Sequence, residues 1–387
     1  MQLIGQNSIR LKSFSFKEEL DGQIEVDISN VDLEGFDLFI GDNAQGKTRL
    51  FRTLQFVTGL LRGNRRRIST IFVAKFTFNI QLKEQIEKVS YQIKVFPTNE
   101  GNDYSEKITK VDGVLFSTEE KILINEENNQ NIDNFFIPLN IPSVAAIDDA
   151  RFPTIRLIRE FFQRILFIGP HRGQMVEIEG NPTNALILNP DGANLASVLS
   201  YWSKKHKPIY QDLINDLKRC FPIIEEVKFV PQVLSPGVKT EFLAIHEKDI
   251  SKDILQVNWS EGIWRTLCLL CLPKTQFEYG DKVYPPSMIW IDEIENSLDF
   301  KTLKFITSYF KDYSDQIQIV MSSHSPIMSE FIHPKNWQIV RRHGAKIKIS
   351  KPTLVEKNLD EQLSFFREKY WDFYTKHVSS SDLYEPK

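Results

Sequence analysis

The sequence has few of the features that mark secreted or membrane-bound proteins. Only three cysteines occur among 387 residues, which is too few for a disulfide framework and favours a reducing compartment. No apolar run approaches the roughly 20 residues that span a bilayer, and the N-terminal segment lacks the charged start and apolar core of a signal peptide. We therefore expect a cytoplasmic protein that does not enter a membrane.

The sequence also lacks an excess of positive charge. The net charge is −3, so no overall basic field attracts nucleic acid, and any DNA contact needs local basic patches. Three short basic runs are present, at residues 62–67, 204–207 and 341–351. Internal repeats and long heptad runs are missing, so we expect no extended coiled coil.

What is present is the composition of an ordinary globular protein, with 41% hydrophobic and 26% charged residues. The 28 phenylalanines are an excess that predicts a Phe-rich core. Cys268 and Cys271 form a C-x-x-C inside an apolar run with helical spacing, and no second cysteine pair or histidine is close to them in sequence. We therefore expect these two cysteines to pack in the core rather than to hold a metal.

Hydrophobic spacing predicts a mixed α/β fold. Strands are expected at 9–16, 23–29 and 37–40, and alternating segments between residues 68 and 140 predict an antiparallel β-region. The polar stretch 125–134 is expected to be a loop. Helices are expected at 153–164 and between 194 and 220, with strands at 165–170 and in EEVKFVPQ and KTEFLAIHE.

The last part of the chain is predicted to alternate helices and strands. It ends with the strands WQIVRR and AKIKIS and with an amphipathic helix at Glu361–Val378 that is unusually aromatic. That helix either packs back onto the rest of the chain or docks a partner.

Residues 41–48 read GDNAQGKT and match the pattern G-x-x-x-x-G-K-[ST] at every fixed position. Gly41 and Gly46 allow the backbone to wrap an anion, Lys47 can reach the β- and γ-phosphates, and the Thr48 hydroxyl can hold Mg²⁺. A strand precedes the loop, and a helix that opens at Lys47 adds the positive end of its dipole. The sequence therefore predicts a phosphate-binding loop.

An acidic pair closes a predicted buried strand in MIWIDEIENSLD, residues 288–299. Ligands of open α/β sheets lie at the carboxyl ends of the strands, where Asp292 and Glu293 are placed. Asp292 is suited to ordering Mg²⁺, and Glu293 is suited to polarising an attacking water as a general base.

Two further segments have the right position for phosphate contacts. QIQIVMSSHSP at 316–326 predicts another buried strand, and His324 just after it could contact a γ-phosphate. NWSEGIWRTL at 258–267 places Ser260, Glu261 and Gly262 at a predicted helix start, where exposed N–H groups would form a second anion site.

This order of phosphate loop, S-x-G helix start, acidic strand with SLD, and strand-end histidine resembles the ABC-type ATPases. It is more similar to the SMC/RecF-like branch of AAA-domain and OLD-like ATPase heads, whose phosphate loop often carries Asn where Asn43 stands. The resemblance extends to about Arg342 and is weakest at 65–165 and 175–250. It implies an α/β head with a mixed central sheet, an antiparallel β-lobe and a compact helical insertion.

The resemblance also implies a composite ATP site. In that family ATP and Mg²⁺ lie between two heads, which implies a homodimer or a higher even oligomer that hydrolyses ATP. Ser260 and Gly262 would cap the γ-phosphate of the partner's ATP, and residues 297–299 would cross the interface. Glu293 and His324 would be the catalytic residues.

The implied ligand contacts can be given residue by residue. ATP would be bound by Gly41, Asn43, Ala44, Gln45, Gly46, Lys47, Thr48, Arg49, Ser260 and Gly262. Mg²⁺ would be bound by Thr48, Asp292 and Gln174. Gln174 takes the Q-loop place in FIGPHRGQM, where His171 or Arg172 could equally make these contacts.

The predicted domains are an ATPase head at 1–350 and an aromatic helical extension at 351–387. The head carries a β-rich insertion at about 65–150 and a helical insertion at about 175–250. Glu261 stands where transporters have the first glycine of their signature, which argues against a transporter subunit. No acidic cluster follows the histidine strand, so we do not expect an OLD-type nuclease.

Compact ATPases of this kind resemble the Septu-like and PARIS-like ATPases of bacterial defence modules. In those modules the head is paired with a separately encoded effector, a nuclease or toxin, and we expect this role here. The alternative is a RecF-like ATPase of DNA repair or DNA-structure binding, which would touch DNA through the local basic runs.

Overall fold

The computed structural model describes residues 8–41, 44–64, 67–82, 85–132, 135, 140–147, 150–169, 187–235, 238–279 and 282–352. The chain divides into two compact units. The first comprises Met1–Ile165 with Pro334–Lys387, and the second comprises Leu166–His333. None of the helices in the described ranges is long and apolar enough to cross a membrane.

The strands of both units are numbered in chain order. They are β1 (Ser8–Leu20), β2 (Gln23–Asp32), β3 (Phe36–Ile40), β4 (Ile71–Leu82), β5 (Gln85–Pro97), β6 (Asn102–Lys110), β7 (Gly113–Ser117), β8 (Ile122–Asn125), β9 (Gln130–Asn131), β10 (Ile165–Ile168), β11 (Ile224–Ser235), β12 (Val238–Glu247), β13 (Ile254–Leu255), β14 (Phe277–Tyr279), β15 (Lys282–Tyr284), β16 (Met288–Ile291), β17 (Gln318–Ser323), β18 (Trp337–His343) and β19 (Lys346–Ser350).

The helices are numbered in the same way. They are α1 (Lys47–Leu61), α2 (Ser143–Ala146), α3 (Pro153–Gln163), α4 (Leu195–Lys205), α5 (Lys207–Cys220), α6 (Glu261–Cys271) and α7 (Phe300–Tyr313). Short 3₁₀ helices cover Gln256–Asn258, Leu272–Lys274, Pro326–Glu330 and Pro334–Asn336.

A mixed sheet forms the first unit, with its strands in the order β3-β18-β19-β2-β1-β4-β5-β6-β7-β8-β9. β18 runs parallel to β3 and β19 runs parallel to β2, whereas β1, β2 and the strands from β4 to β9 pair antiparallel. The predicted antiparallel region is therefore confirmed. The stretch expected to be a loop contains β9, a two-residue strand that pairs with β8.

Phenylalanine builds much of the core of this unit. The buried positions of β4 alternate with half-buried or exposed ones, as a strand with one covered face requires. They place Phe76 and Phe78 against α3. Ring centroids lie 5.0 Å apart for Phe76 and Phe162 and 5.3 Å apart for Phe78 and Phe161, both in edge-to-face geometry. Such pairs add to the burial of apolar area, so the excess of phenylalanine has a structural use.

The second unit holds the buried strands β10, β16 and β17, which are neighbours in that order. β16 and β17 run parallel, and every residue of both is buried. Because both faces of such strands are covered, they appear in the sequence as continuous apolar runs. Their carboxyl ends therefore lie at one edge, at Asp292 and at Ser323.

The rest of the second unit follows the predicted order of elements. α4 and α5 are followed by the antiparallel pair β11 and β12. Cys268 and Cys271 are fully buried on α6, and the Tyr309 hydroxyl of α7 donates to the Leu270 carbonyl at 3.0 Å. The predicted helix at Glu361–Val378 lies outside the described residues.

Candidate functional site

The glycines of the loop at 41–48 are required by close packing. A Cβ atom at Gly41 would lie 2.7 Å from the carbonyl oxygen of Val340 in β18. Gly46 has a φ of 105°, and a Cβ atom there would lie 2.7 Å from Cδ1 of Ile347 in β19. At Gly41 the clashing atom is backbone, so the loop can lie against β18 only with glycine there. At Gly46 the Ile347 side chain can shift, and the positive φ is what favours glycine.

The helix behind the loop begins without a side-chain cap. α1 starts at Lys47, its N-cap residue is Gly46, and no acidic residue lies in its first turn. The first N–H groups of a helix have no partner within the helix, and the helix dipole favours negative charge beside them. Within the described part of the loop, this helix start is therefore suited to an anion.

Lys47 brings a positive charge to the same place. Its side chain is buried, and its Nζ donates a hydrogen bond to the Gly41 carbonyl at the end of β3. An ammonium group has three N–H donors, and a buried charge needs partners of opposite or strong dipolar character. The loop thus combines a held ammonium group with an uncapped helix start.

Other loop residues anchor the turn. The Gln45 side-chain oxygen accepts a hydrogen bond of 2.8 Å from the backbone N–H of Arg342 in β18. Ala44 has a φ of 66°, a conformation that non-glycine residues adopt rarely. Thr48 and Arg49 are half-buried in the first turn of α1, and the predicted contact at Asn43 lies outside the described residues.

In the second unit, Asp292 follows β16 and is fully buried. Its Oδ1 accepts a hydrogen bond from the Ser322 hydroxyl of β17, and its Oδ2 has no hydrogen-bond partner among the described residues. A buried carboxylate oxygen without a partner carries a free-energy cost unless a ligand satisfies it. Carboxylate oxygens are ligands that Mg²⁺ prefers, so the predicted metal role fits this side chain.

Glu293 adopts a strained backbone next to Asp292. Its φ is 49°, and its backbone N–H donates to the Ser322 hydroxyl at 2.9 Å. One serine on β17 therefore contacts both acidic residues. Strained residues of this kind persist where the surroundings determine them, often at functional sites.

Arg265 of α6 fixes the backbone at the ends of two strands. Its guanidinium group donates to the carbonyl oxygens of Gly169 after β10 and of Asp292, the latter at 3.1 Å, and lies 3.5 Å from the Glu293 carbonyl. The side chain is 3% exposed, and burial lowers the pKa of Arg265 to about 10. It is therefore still charged at neutral pH, and a charged donor strengthens these bonds.

The predicted S-x-G helix start is present. Ser260 is the N-cap of α6, and its hydroxyl accepts a hydrogen bond of 3.3 Å from the N–H of Ile263. A Cβ atom at Gly262 would lie 2.8 Å from the Ser297 carbonyl oxygen, so this glycine allows the helix start to pack on the SLD segment. Ser297 itself has a φ of 61°.

Asp299 of the SLD segment is a helix cap. Its side-chain oxygens accept hydrogen bonds from the Thr302 N–H at 2.9 Å and the Thr302 hydroxyl at 3.0 Å. The bond from the Thr302 N–H lowers the pKa of Asp299. Within the chain, Asp299 therefore serves as the N-cap of α7.

His324 follows β17 and is held by Glu295. One carboxylate oxygen of Glu295 lies 3.0 Å from the His324 ring Nδ1 and accepts the backbone N–H groups of His324 and Ser325 at 2.8 and 3.0 Å. The His324 side chain is 43% exposed and that of Glu295 is 11% exposed. The loops after β16 and β17 are thereby joined.

The second unit thus brings together Asp292, Glu293 and His324 with the start of α6, whereas the loop at 41–48 belongs to the first unit. Gln174, His171 and Arg172 lie outside the described residues. Sequence reasoning missed Ser322, Glu295 and Arg265 as parts of the site. The one sequence signal for Arg265 was its place as a lone charge in the apolar run WRTLCLLC. A charged residue buried in such a run nearly always has polar partners, so Arg265 could have been expected to bind backbone or acidic groups nearby.

Comparison with known proteins gives the family. Residues 38–329 match the protein family described as "AAA domain, putative AbiEii toxin, Type IV TA system". No curated protein matches the chain in sequence.

The chain is similar in structure to a crystal structure of an SMC head bound to the C-terminal winged-helix domain of ScpA, with a TM-score of 0.51 and 13% identity over 89% of this chain and 98% of that one. It is also similar to an Smc head with an extended coiled coil bound to the C-terminal domain of ScpA from Pyrococcus furiosus (TM-score 0.47, 11% identity, 93% and 99% of the chains). A third similar structure is the SMC head domain from Thermotoga maritima (TM-score 0.39, 12% identity, 89% and 100%).

The first of these similarities confirms the predicted fold class, a mixed α/β fold with a large mixed sheet. The family match covers well over half of the chain. The protein therefore belongs to this AAA-domain family, and its fold is that of an SMC-type ATPase head.

Proposed function

We propose that the protein is an ATP-dependent molecular switch that binds ATP and Mg²⁺ at the loop Gly41–Thr48 and hydrolyses the ATP. The loop carries this proposal. Its glycines are packed against β18 and β19, the helix behind it begins without a side-chain cap, and the Lys47 ammonium group is held beside Gly41. Membership of an AAA-domain family supports ATP as the anion that the loop takes.

The residues predicted to hold Mg²⁺ and to act on the γ-phosphate have separate roles in this proposal. The Thr48 hydroxyl and the Asp292 carboxylate would hold Mg²⁺, which when bound offsets the negative charge of the β- and γ-phosphates. Glu293 accepts the proton of the attacking water as general base, and His324 contacts the γ-phosphate. Asn43 and Gln174 stay predictions for ATP and Mg²⁺ respectively.

The proposed switch is a homodimer, or a higher even oligomer, that closes around ATP. Ser260 lies exposed at the start of α6, where the N–H groups of a helix start favour an anion. We assign Ser260 and Gly262 to the γ-phosphate of the ATP bound by the second copy. The two copies close only if ATP binds the closed state more tightly than the open one.

Nucleotide binding tests the central part of this proposal. We expect Lys47→Ala to weaken ATP binding by at least about 100-fold, since the variant loses a charge-assisted contact worth about 3 kcal/mol. Lys304→Ala is the matched control, because Lys304 is exposed on α7 and should leave the Kd unchanged. Equal Kd values for wild type and Lys47→Ala, measured by calorimetry, would refute the assignment of the loop.

Hydrolysis is tested separately with Glu293→Gln. The amide cannot accept the proton of water, so we expect kcat to fall by about 100-fold or more while the Kd for ATP is kept. An unchanged rate of phosphate release by Glu293→Gln would show that Glu293 is not the general base, and it would leave the ATP site untouched.

We propose that the switch serves a bacterial defence module and controls a separately encoded effector, a nuclease or toxin. The description of the matched family mentions a putative toxin of a type IV toxin–antitoxin system. Such systems contain two proteins, which supports a role alongside a partner protein. Phage challenge of cells that carry the neighbouring genes, with wild type or Lys47→Ala, tests this role. If wild type and Lys47→Ala protected the cells equally, a defence role that depends on ATP binding would be refuted.

A DNA-binding ATPase of the RecF kind is the second candidate, and one observation favours it. Arg341 of β18 and Lys348 of β19 are direct cross-strand partners, and Lys346 and Lys348 are exposed. Like charges placed directly opposite each other are destabilising unless an anion lies between them. Each of the three basic runs contains a charge that is already bound, since Arg62 donates to the Phe162 and Ile165 carbonyls, Lys204 pairs with Glu241, and Lys351 pairs with Glu34.

Duplex binding across a salt series tests this candidate. A DNA-binding surface on β18 and β19 predicts a steep loss of affinity with salt, and a smaller slope for Lys346→Ala with Lys348→Ala. No binding at low salt would exclude it.

A further inference from the structure

One carboxylate controls both the backbone and the ring of His324. The same oxygen of Glu295, Oε1, lies within 3.0 Å of the His324 ring Nδ1, the His324 backbone nitrogen and the Ser325 backbone nitrogen. Two backbone N–H donors and a ring nitrogen beside one oxygen leave the loop after β17 and the imidazole little freedom to reorient. Glu295 itself sits in a tight turn that the Leu298 N–H closes by donating to the Glu295 carbonyl at 3.1 Å.

The chemistry of the partners decides the protonation pattern of the ring. An ionised carboxylate only accepts hydrogen bonds, so Nδ1 of His324 must carry the hydrogen in this contact. In the neutral ring Nε2 is then the acceptor nitrogen, since the tautomer is set by the hydrogen bond at the other nitrogen. The contact with the accepting oxygen of Glu295 therefore selects which nitrogen of His324 acts on a phosphate oxygen or a water.

The same turn reaches the start of α6. Gly262 packs directly on the Ser297 carbonyl, and Ser297 lies two residues from Glu295 in the turn that follows Glu293. A movement of the S-x-G helix start would therefore also move this turn, and with it the Glu295 carboxylate that holds His324. The second oxygen of Glu295, Oε2, is buried and has no hydrogen-bond partner in the described ranges. A serine at this position could accept the same backbone N–H groups without burying such an oxygen.

We propose that Glu295 is a positioning residue that holds His324 in its Nδ1–H form and couples that ring to the S-x-G start of α6. The proposal deepens the proposed function and rests on it for the role of His324 toward ATP. It assigns to Glu295 no contact with the nucleotide.

The tautomer is measured directly and without nucleotide. In protein labelled with ¹⁵N-histidine, His324 should show the Nδ1–H pattern of ring nitrogen shifts, as should His246, whose Nδ1 lies 3.0 Å from the Asp253 carboxylate. The signal that His324→Gln removes is the one that belongs to His324. Glu295→Ala should convert it to a tautomer mixture, whereas Glu330→Ala, an exposed carboxylate further along the same segment, should not. An unchanged Nδ1–H signal in Glu295→Ala would overturn the proposal.

Glu295→Gln covers the case in which the alanine variant does not fold. Its amide oxygen keeps an acceptor for the two backbone N–H groups, but the ionic contact with the ring is lost. We expect a folded protein with a partial shift in tautomer. A folded Glu295→Gln protein with the wild-type ring spectrum contradicts the assigned role.

Turnover links the ring to the reaction. We expect His324→Ala and Glu295→Ala to lower kcat by about 10- to 100-fold each, with the Kd for ATP kept. Because both act through one ring, the double variant should be no slower than His324→Ala alone. Losses that multiply would overturn the role of Glu295 as a positioning residue that acts through His324. Absence of ATP binding in wild type would instead refute the proposed function and leave the tautomer result standing.

Discussion

At the scale of single residues, the site differs from an ordinary core in its buried polar groups. Asp292 is fully buried, and one of its carboxylate oxygens has no hydrogen-bond partner among the described residues. The buried Arg265 guanidinium donates to backbone carbonyls at the strand ends. Neither arrangement is the most stable way to fill a core. Both are expected where a fold gives up stability to shape a ligand site.

Gly41→Ala tests whether packing fixes the loop. The added methyl would meet the Val340 carbonyl at 2.7 Å, and we expect a loss of about 1–3 kcal/mol in the free energy of unfolding together with weaker ATP binding. Gly59→Ala in α1 is the control, because its Cβ would meet only the Asn64 side chain, at 3.4 Å. That variant should be neutral or up to about 1 kcal/mol more stable in urea unfolding.

Arg265→Met tests the buried guanidinium. Its loss leaves carbonyl oxygens unsatisfied, and we expect about 3 kcal/mol of destabilisation in chemical denaturation. Arg219→Met is the matched control, since the Arg219 side chain is 68% exposed and its partner Asp216, which is 11% exposed, keeps a second ion pair with Lys274. An ion pair with so exposed a partner is worth at most about 1 kcal/mol. Similar losses for both variants would contradict the role given to Arg265.

Residue identities were only partly predictable from sequence. Asp292 and Glu293 are found from their place after an apolar run, and Ser260 from its place before a helix. Gln45 was predicted to contact ATP, and the structure adds that its side-chain oxygen binds the Arg342 backbone. Glu295 was missed because its partners His324 and Ser325 follow a different strand, and no local pattern connects two loops.

At the scale of elements, the spacing of apolar residues predicted most of the helices and strands. The alternation in β4 and the continuous apolar runs of β16 and β17 predicted their strands and burial. Strand neighbours were not predictable in the same way. β19 pairs parallel with β2 from the far end of the chain, and such pairings depend on tertiary packing rather than on local spacing.

The cap of α7 gives a pH-dependent prediction. Because the folded state lowers the pKa of Asp299, its ionised form adds stability above its unfolded pKa, and this is lost as the pH falls through the lowered folded value. Asp299→Ala should cost about 1 kcal/mol at neutral pH and less in acid, whereas Asp299→Asn keeps a cap. Thermal unfolding at several pH values measures the difference. A cost for Asp299→Ala that does not shrink in acid would rule out the charge as its source.

At the scale of the whole molecule, the proposed function is nucleotide-driven assembly. The chain carries a phosphate loop in one unit and the acidic strand end, the α6 start and His324 in the other. The family match establishes the AAA domain, and similarity to SMC heads establishes the fold. The proposed step is that two copies close when ATP is bound and reopen when it is hydrolysed.

The mass of Glu293→Gln in solution tests this step most directly. With saturating ATP and Mg²⁺, light scattering should report a dimer or a higher even oligomer, because the variant binds ATP and cannot hydrolyse it. Without nucleotide, and in the double variant with Lys47→Ala, it should report the monomer. A Glu293→Gln protein that binds ATP and remains monomeric would contradict the account.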